Sequence, residues 1–242
     1  MVKEEEGGNM AFETGQIIAY LEMCMAEGTQ LQRGMNFKLK SGKNVILMSR
    51  RANAPYTDSI SPDGKIIIYE GHDVTTADAP IPKMVDQPFA NSKGVLTQNG
   101  HFFQAAKSVT ENKSSPELVQ VYEKLIKGTW VFNGIFNLLD AYEENDGNRK
   151  VFKFKLELTD VEPTSTSQSF QNVSRAHKRV IPSEVKREVF KRDSGKCVLC
   201  GKTDNIHFDH ILPYSKGGTS ILADNIQILC AFHNLQKSNH IE

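Results

Sequence analysis

Long apolar runs, an excess of charge of either sign and a dense cysteine framework are all missing from this 242-residue chain. The longest apolar runs are Val45-Ile46-Leu47-Met48 and Ile66-Ile67-Ile68-Tyr69. They fall far short of the about 18 residues that cross a bilayer, and they suit buried strands. The 29 Lys and Arg are balanced by 29 Asp and Glu. That balance excludes disorder driven by self-repulsion, and a uniformly basic coat. The opening Met-Val-Lys-Glu-Glu-Glu has no apolar stretch and does not read as a secretory signal. The expectation is a soluble cytoplasmic protein with no membrane partner. Four cysteines are too few and too clustered for a disulfide framework. Cys24 stands alone in an apolar stretch and reads as core filler. Trp130, the single tryptophan, also reads as core.

The length allows one large domain or two modest ones. Pro163-Thr164-Ser165-Thr166-Ser167-Gln168-Ser169 is small and polar, so it divides the chain. We expect a first domain over 1–160, a linker over 161–181 and a second domain over 182–242. Charge splits at the same place. Residues 171–242 carry 11 cations and 7 acids, a net of +4, which leaves −4 on residues 1–170. Nine cations against three acids lie between Arg175 and Lys202.

The first domain reads mainly as strands. Val45–Met48, Ile66–Tyr69 and the alternating Phe152, Phe154, Leu156 and Leu158 carry strand signals. Asn145-Asp146-Gly147-Asn148 is a hairpin tip, with Ile135–Ala141 as the partner strand. Helices are expected over Gly15–Glu27 and His101–Val109. With few helices, the strands suggest a curved sheet or barrel, within an α+β chain. In the second domain a helix begins at an N-cap Ser183, Ile206–Ile211 is a strand, and Asn225–Lys237 can form a helix.

Cys197-x-x-Cys200 and Cys230-x-x-His233 are two paired half-sites. Zinc takes four N or S ligands in a tetrahedron, and two such knuckles deliver them. The set is closed, so a structural Zn²⁺ is expected; a reactive dithiol at Cys197 and Cys200 is the alternative. Between the knuckles lies Phe208-Asp209-His210-Ile211-Leu212-Pro213, followed by Gly217-Gly218, Asn225, Asn234 and Lys237.

Over about Pro182–Asn239 this pattern resembles the HNH nucleases, whose ββα-metal motif is held by such knuckles. The resemblance implies His210 as general base, Asp209 and Asn234 on a catalytic divalent metal (Mg²⁺ or Mn²⁺), and Asn225 bracing the loop that orients His210. It also implies a bend between Asp209 and His210, because neighbours on an ordinary strand face opposite ways. Asn234 stands where the family name implies His, and His240 is a rival for that role. His207 shares a strand face with Asp209 and reads as a supporting or solvent residue. Hydrolysis of a phosphodiester needs an activated water and a cation beside the phosphate, which suits these residues. A zinc ribbon that binds without cutting stays open at this stage.

From about Gly34 to Leu158 the chain resembles the SRA (SET and RING-associated) domain, a PUA-like β-barrel that flips a modified cytosine out of DNA. The resemblance rests on Val45–Ser49, Tyr56–Gly71, Asp86-Gln87, Tyr122–Lys127, Trp130–Gly134 and Val151–Leu156. It departs over Arg50–Asp58, where the family's Gly-Gly-Tyr-Glu-Asp-Asp stretch is replaced. It implies a base pocket of Tyr56 and Tyr69 as stacking faces and Asp58 on the cytosine amino group, with Glu70 as a second acid. Two loops, Ser41–Asn44 and Asp73–Lys83, would enter the duplex. Lys43, Arg175, Lys178, Arg179 and Lys237 are the expected phosphate contacts.

Together the two resemblances imply a bacterial modification-dependent (type IV) restriction endonuclease acting on double-stranded DNA with 5-methylcytosine or 5-hydroxymethylcytosine. One active site per chain cuts one strand, so a double-strand break implies a homodimer or two sequential nicks. The alternatives are a non-catalytic reader, and a nuclease selecting unmodified sequence, DNA structure or RNA.

Overall fold

A computed structural model of the chain describes residues 11–51, 54–160, 179–213 and 216–238. Among them are the first-domain elements β1 (Gln16–Ala19), α1 (Tyr20–Ala26), β2 (Met35–Asn36), β3 (Asn44–Met48), β4 (Ser59–Ile60) and β5 (Ile66–Glu70). They continue with α2 (Gln98–Thr110), β6 (Glu117–Ile126), β7 (Thr129–Asn145) and β8 (Lys150–Leu158). Past the division come α3 (Ser183–Arg192), β9 (Ile206–His210), β10 (Ile226–Cys230) and α4 (Ala231–Ser238). The class is α+β, as expected.

All ten of these strands belong to one sheet. Strand β7 is its hub. One edge pairs with β6; the other pairs first with β1 and then with β8, through the Asn145–Asn148 hairpin. Strand β6 runs on to β3 in parallel, and β8 runs on to β5 antiparallel. Phe154, Leu156, Ile67, Tyr69, Ile46, Met48 and Met35 from the two arms meet in one core with Phe102 and Ala106 of α2. The sheet therefore curls round α2, and side chains from both arms fill its concave face.

Three local expectations change. The Gly15–Glu27 segment is half strand: Ile17 sits between Val131 of β7 and Ile206 of β9, and the helix starts only at Tyr20. Two adjacent β-branched residues with a strand on either side gain more from the ladder than from a helical turn. Likewise Asn225–Lys237 is not one helix, because Ile226–Cys230 pairs with β9 before α4 begins. Pro182, not Ser183, occupies the N-cap of α3, and Ser183 is wholly buried. Strand β9 pairs Asp209 with Gln227 and His210 with Ile226, without a register shift, and ends at His210.

The sheet crosses the division of the chain. Strand β9 adds to β1 through Gln16↔His207 and Ile17↔Ile206. Ile17, Leu125 and Val131 share a core with Ile181, Val185, Val189, Phe208, Ile226 and Ile228. Helix α3 joins the halves. Its Lys186 ammonium lies 2.6 Å from Glu123 Oε2 on β6 and 2.6 Å from Asn133 Oδ1 on β7, with both ion-pair side chains almost fully buried. Burial opposes ionisation of Glu123, but Lys186, Ser183 and Asn133 overrule it and hold the carboxyl below its usual range. Val180 N–H donates to Gly64 O at 2.8 Å. A Cβ on Gly64 would stand 2.6 Å from the Val180 carbonyl, and φ is +68° there, so this docking requires glycine.

Candidate functional site

The knuckles are built by two turns brought together by the β9–β10 hairpin. Cys197 and Cys200 lie in the turn after α3; Cys230 ends β10 and His233 is in the first turn of α4. Their ligand atoms all lie within 4.8 Å of one another. Cys200 and Cys230 sulfurs are 3.8 Å apart, and His233 Nδ1 lies 3.4 Å from Cys197 Sγ and 3.3 Å from Cys230 Sγ. A zinc tetrahedron with bonds of about 2.3 Å to sulfur and 2.0–2.1 Å to nitrogen has edges of about 3.8 and 3.6 Å. Burial pushes the Cys197 thiol up, but backbone N–H groups of Cys230, Cys200 and Leu199 outweigh it and bring it down to about 6. Thiolate character, spacing and one imidazole fit Zn²⁺. This cluster could hold a structural metal.

The second cluster lies at the far end of β9. Asp209 Oδ2 accepts from Lys237 Nζ at 2.5 Å and from Gln227 Nε2 at 3.1 Å. The same ammonium donates to the His210 carbonyl. Two oxygens thus converge on one cation, and hard oxygen donors of this kind suit Mg²⁺ or Mn²⁺. Lys237, expected on a phosphate, instead caps this pair. Asn234 stands one turn before it on α4, half-buried. Among the described residues it makes no hydrogen bond to Asp209 or His210.

His210 is half-buried, and burial lowers its pKa, which favours the neutral imidazole a base needs. Its Nε2 lies 2.8 Å from Ser220 Oγ. The sequence reading missed Ser220; its signal was its place just past the Gly217-Gly218 pair. Asn225 braces the loop at three points: Oδ1 accepts from Leu212 N–H at 2.8 Å, and Nδ2 donates to Leu212 O at 3.0 Å and Thr219 O at 2.9 Å. Gly218 lets the loop close, since a Cβ there would stand 1.8 Å from the Leu212 carbonyl. His207 is buried in the β1–β9 pairing with its Nε2 3.2 Å from Asn205 Oδ1, away from solvent.

Residues 197–240 match the HNH endonuclease family.

The match takes in both knuckles, Asp209, His210, Asn225, Asn234 and Lys237. No curated protein matches the chain. Among solved structures, the SUVH5 SRA domain with hemi-methylated CG DNA is 19% identical, with a TM-score of 0.43, covering 67% of this chain and 97% of that one. The same domain bound to fully hydroxymethylated CG DNA is 20% identical, with a TM-score of 0.43 and the same coverage. SUVH6 of Arabidopsis thaliana is 16% identical, with a TM-score of 0.39, covering 65% of this chain and 30% of that one. The chain is similar to HNH endonucleases over 197–240 and, over about two thirds of its length, to these SRA structures.

In that front half, the four residues expected to hold a base gather around the end of β5 in different environments. Tyr56 is half-buried and stacks on His72, with ring centroids 5.5 Å apart at 19°. Lys83 Nζ lies 4.4 Å from the Tyr56 ring centroid. Tyr69 is only 2% exposed within the core. Its hydroxyl lies 3.0 Å from His72 Nε2, so it offers no free face, and His72 is the second ring beside Tyr56. His72 was missed; its signal was an aromatic ring three residues past Tyr69.

Glu70 is committed elsewhere. Its Oε2 accepts from Thr57 N–H at 2.9 Å and Lys153 Nζ at 3.0 Å, which makes it a scaffold acid. Asp58 accepts from Glu70 N–H at 3.0 Å, and burial raises its carboxyl to about 7. Arg149, buried, ties this end together through Asp73 at 2.6 Å. A cavity of about 520 Å³ lies along β1 and the 203–207 segment, and one of about 160 Å³ lies beside Gln87 and Phe152; these four residues line neither.

Of the expected phosphate contacts, Lys43 faces the buried Glu27 at 3.6 Å, so part of its charge is spent within the protein. Arg179 donates to the Asp63 carbonyl at 3.1 Å beside Gly64. Arg175, Lys178 and the rival ligand His240 lie outside the described residues.

Proposed function

We propose that this protein is a modification-dependent DNA endonuclease. The observation that carries the reading is the HNH-matching cluster, in which Asp209 Oδ2 and the His210 carbonyl share the Lys237 ammonium while Ser220 and Asn225 hold the imidazole and its loop. A binding module has no use for a half-buried, neutral histidine held in this way beside a hard-oxygen pair.

A bound divalent ion would supply positive charge for the scissile phosphate and its leaving oxygen. Asp209 and Asn234 are its proposed ligands. His210, with Nε2 facing Ser220, takes the proton of the attacking water. Asn225 ties Leu212 to Thr219, so that the imidazole does not swing away. Lys237 neutralises charge beside Asp209 and is available to a phosphate once a metal takes that role. The products are 5′-phosphate and 3′-hydroxyl ends.

The front half selects the substrate. Tyr56 supplies a stacking face and Asp58 an acceptor for a cytosine amino group. Access to Tyr56 requires His72 or Lys83 to yield. Tyr69 supports that wall from the core, and Glu70 fixes the Thr57 backbone. Unpairing costs a few kcal/mol, and stacking at about 1–3 kcal/mol per base offsets much of it. The partner is double-stranded DNA carrying 5-methylcytosine or 5-hydroxymethylcytosine, cut by a homodimer or by successive nicks, in a bacterial cytoplasm with a restriction role.

One experiment tests the reading: matched duplexes carrying cytosine, 5-methylcytosine, 5-hydroxymethylcytosine or glucosylated cytosine, incubated with Mg²⁺ or Mn²⁺. Cleavage confined to a modified duplex and dependent on metal is expected. Equal cleavage of all four refutes the selective role, and no cleavage with either metal refutes the nuclease.

A further inference from the structure

The connection between the halves runs through 161–178, yet the described residues hold the halves together without it. Strand β9 is hydrogen-bonded to β1, so the β9–β10 hairpin that carries Asp209 and His210 extends the front sheet itself. Helix α3 bonds at both ends. Near its start, Arg187 donates to the Arg50 carbonyl, Arg50 lies 3.8 Å from Glu184, and Lys186 is sunk into β6 and β7. Near its end, Arg192 donates to the Ala223 and Ile226 carbonyls at 2.9 and 2.6 Å. Asp193 Oδ2 accepts from Ile228 N–H at 3.0 Å.

The front-side anchors are joined through the chain to the segments that carry the proposed pocket residues. Arg50 precedes the Tyr56–Asp58 segment, and Gly64, docked on Val180, precedes β5. One continuous sheet, with Val180 packed in the core of Tyr69 and Ile181 in the core of Ile206 and Phe208, therefore joins β5 to the strand that carries Asp209 and His210. A shared core with buried hydrogen bonds is a rigid seam, whereas domains hinged on a polar tether move independently.

We infer that this seam, and not the length of the connecting segment, sets the distance between the recognised base and the cut phosphate, so that cleavage falls at one defined offset. The inference rests on the proposed function. It makes the enzyme a fixed ruler, with the β1–β9 pairing and α3 as its body.

The test inserts about ten Gly/Ser residues carrying a site-specific protease sequence between Ser167 and Gln168. Such an insertion spans about 17 Å r.m.s.. At about 3.4 Å per base pair, a tether-set cut would spread over about five base pairs. Cuts are mapped on an end-labelled duplex with a single modified cytosine, using the unaltered, extended and proteolytically nicked proteins. The expected result is one cut position shared by all three, with the nicked halves co-eluting in gel filtration. A cut position that shifts or spreads with the insertion, or halves that separate, overturns the inference and leaves the proposed function standing. Cleavage by the unaltered protein that ignores the modification overturns the proposed function, and the ruler with it.

Discussion

Lys186→Met removes the ammonium at the centre of the seam and leaves an apolar stem of similar size. Glu123 is then a carboxylate at 3% side-chain exposure whose remaining side-chain partners are Asn133 Nδ2 at 3.1 Å and Ser183. Breaking a buried pair by removing one partner costs about 3–5 kcal/mol, mostly the desolvation of the stranded charge. At about 2–4 °C per kcal/mol for a chain of this size, Tm should fall by about 6–20 °C. The double variant Lys186→Met/Glu123→Leu strands no charge and should recover most of the loss, because an apolar pair of similar volume is often neutral or stabilising. The pH dependence follows in sign. In the wild type the Glu123 carboxyl is held below its unfolded value, so its contribution is present above the ordinary carboxylate range and is lost as pH falls through the folded pKa. In Lys186→Met the unpaired carboxyl takes up a proton more readily, so the deficit shrinks on acidification. Urea melts of the four proteins of the cycle, at neutral and acid pH, supply the measurement. A single-variant cost under about 1 kcal/mol, or a double-variant cost equal to the sum of the singles, would refute the reasoning.

The rear cluster and the pocket give further expectations. Chelation, or Cys197→Ser, should unfold the β9–β10–α4 region with loss of one zinc, and an unchanged melting profile refutes a structural role for the metal. His210→Ala should abolish nicking while DNA binding persists, measured by gel shift and plasmid relaxation; retained nicking removes His210 as the base. Ser220→Ala should lower kcat by about 10–100-fold with zinc content unchanged, as losing the partner that orients a ring does, and Ser220→Thr should restore it. For Asp58, burial raises the folded carboxyl to about 7 against an ordinary 3.8. The folded state therefore holds an extra proton between those values. Stability should fall by up to about 4 kcal/mol as pH rises from about 4 to 7, at about 1.4 kcal/mol per unit. Asp58→Asn should flatten that slope, and an unaltered slope places the titration elsewhere.

Much of this protein was legible in the chain because the relevant interactions are short-range. The two knuckles, Asp209-His210, Gly217-Gly218 and Asn225 lie within about 40 residues of one another, and each carries its chemistry in a fixed local spacing. The alternation of Phe152 to Leu158 and the Asn145–Asn148 turn set a hairpin by local geometry alone. Periodicity could not decide Gly15–Ala19 or Ile226–Cys230, because their strand state depends on partners far away in sequence. Nor could it show that Tyr69 and Glu70 are consumed by the core and by Lys153, or that Ser220 and His72 stand where they do. Local order determined the spacing of the two knuckles and of Asp209, His210 and Asn225. Long-range pairing decided which side chains are free to act and joined two apparent domains into one sheet, because burial and hydrogen-bond partnership are properties of the packed chain.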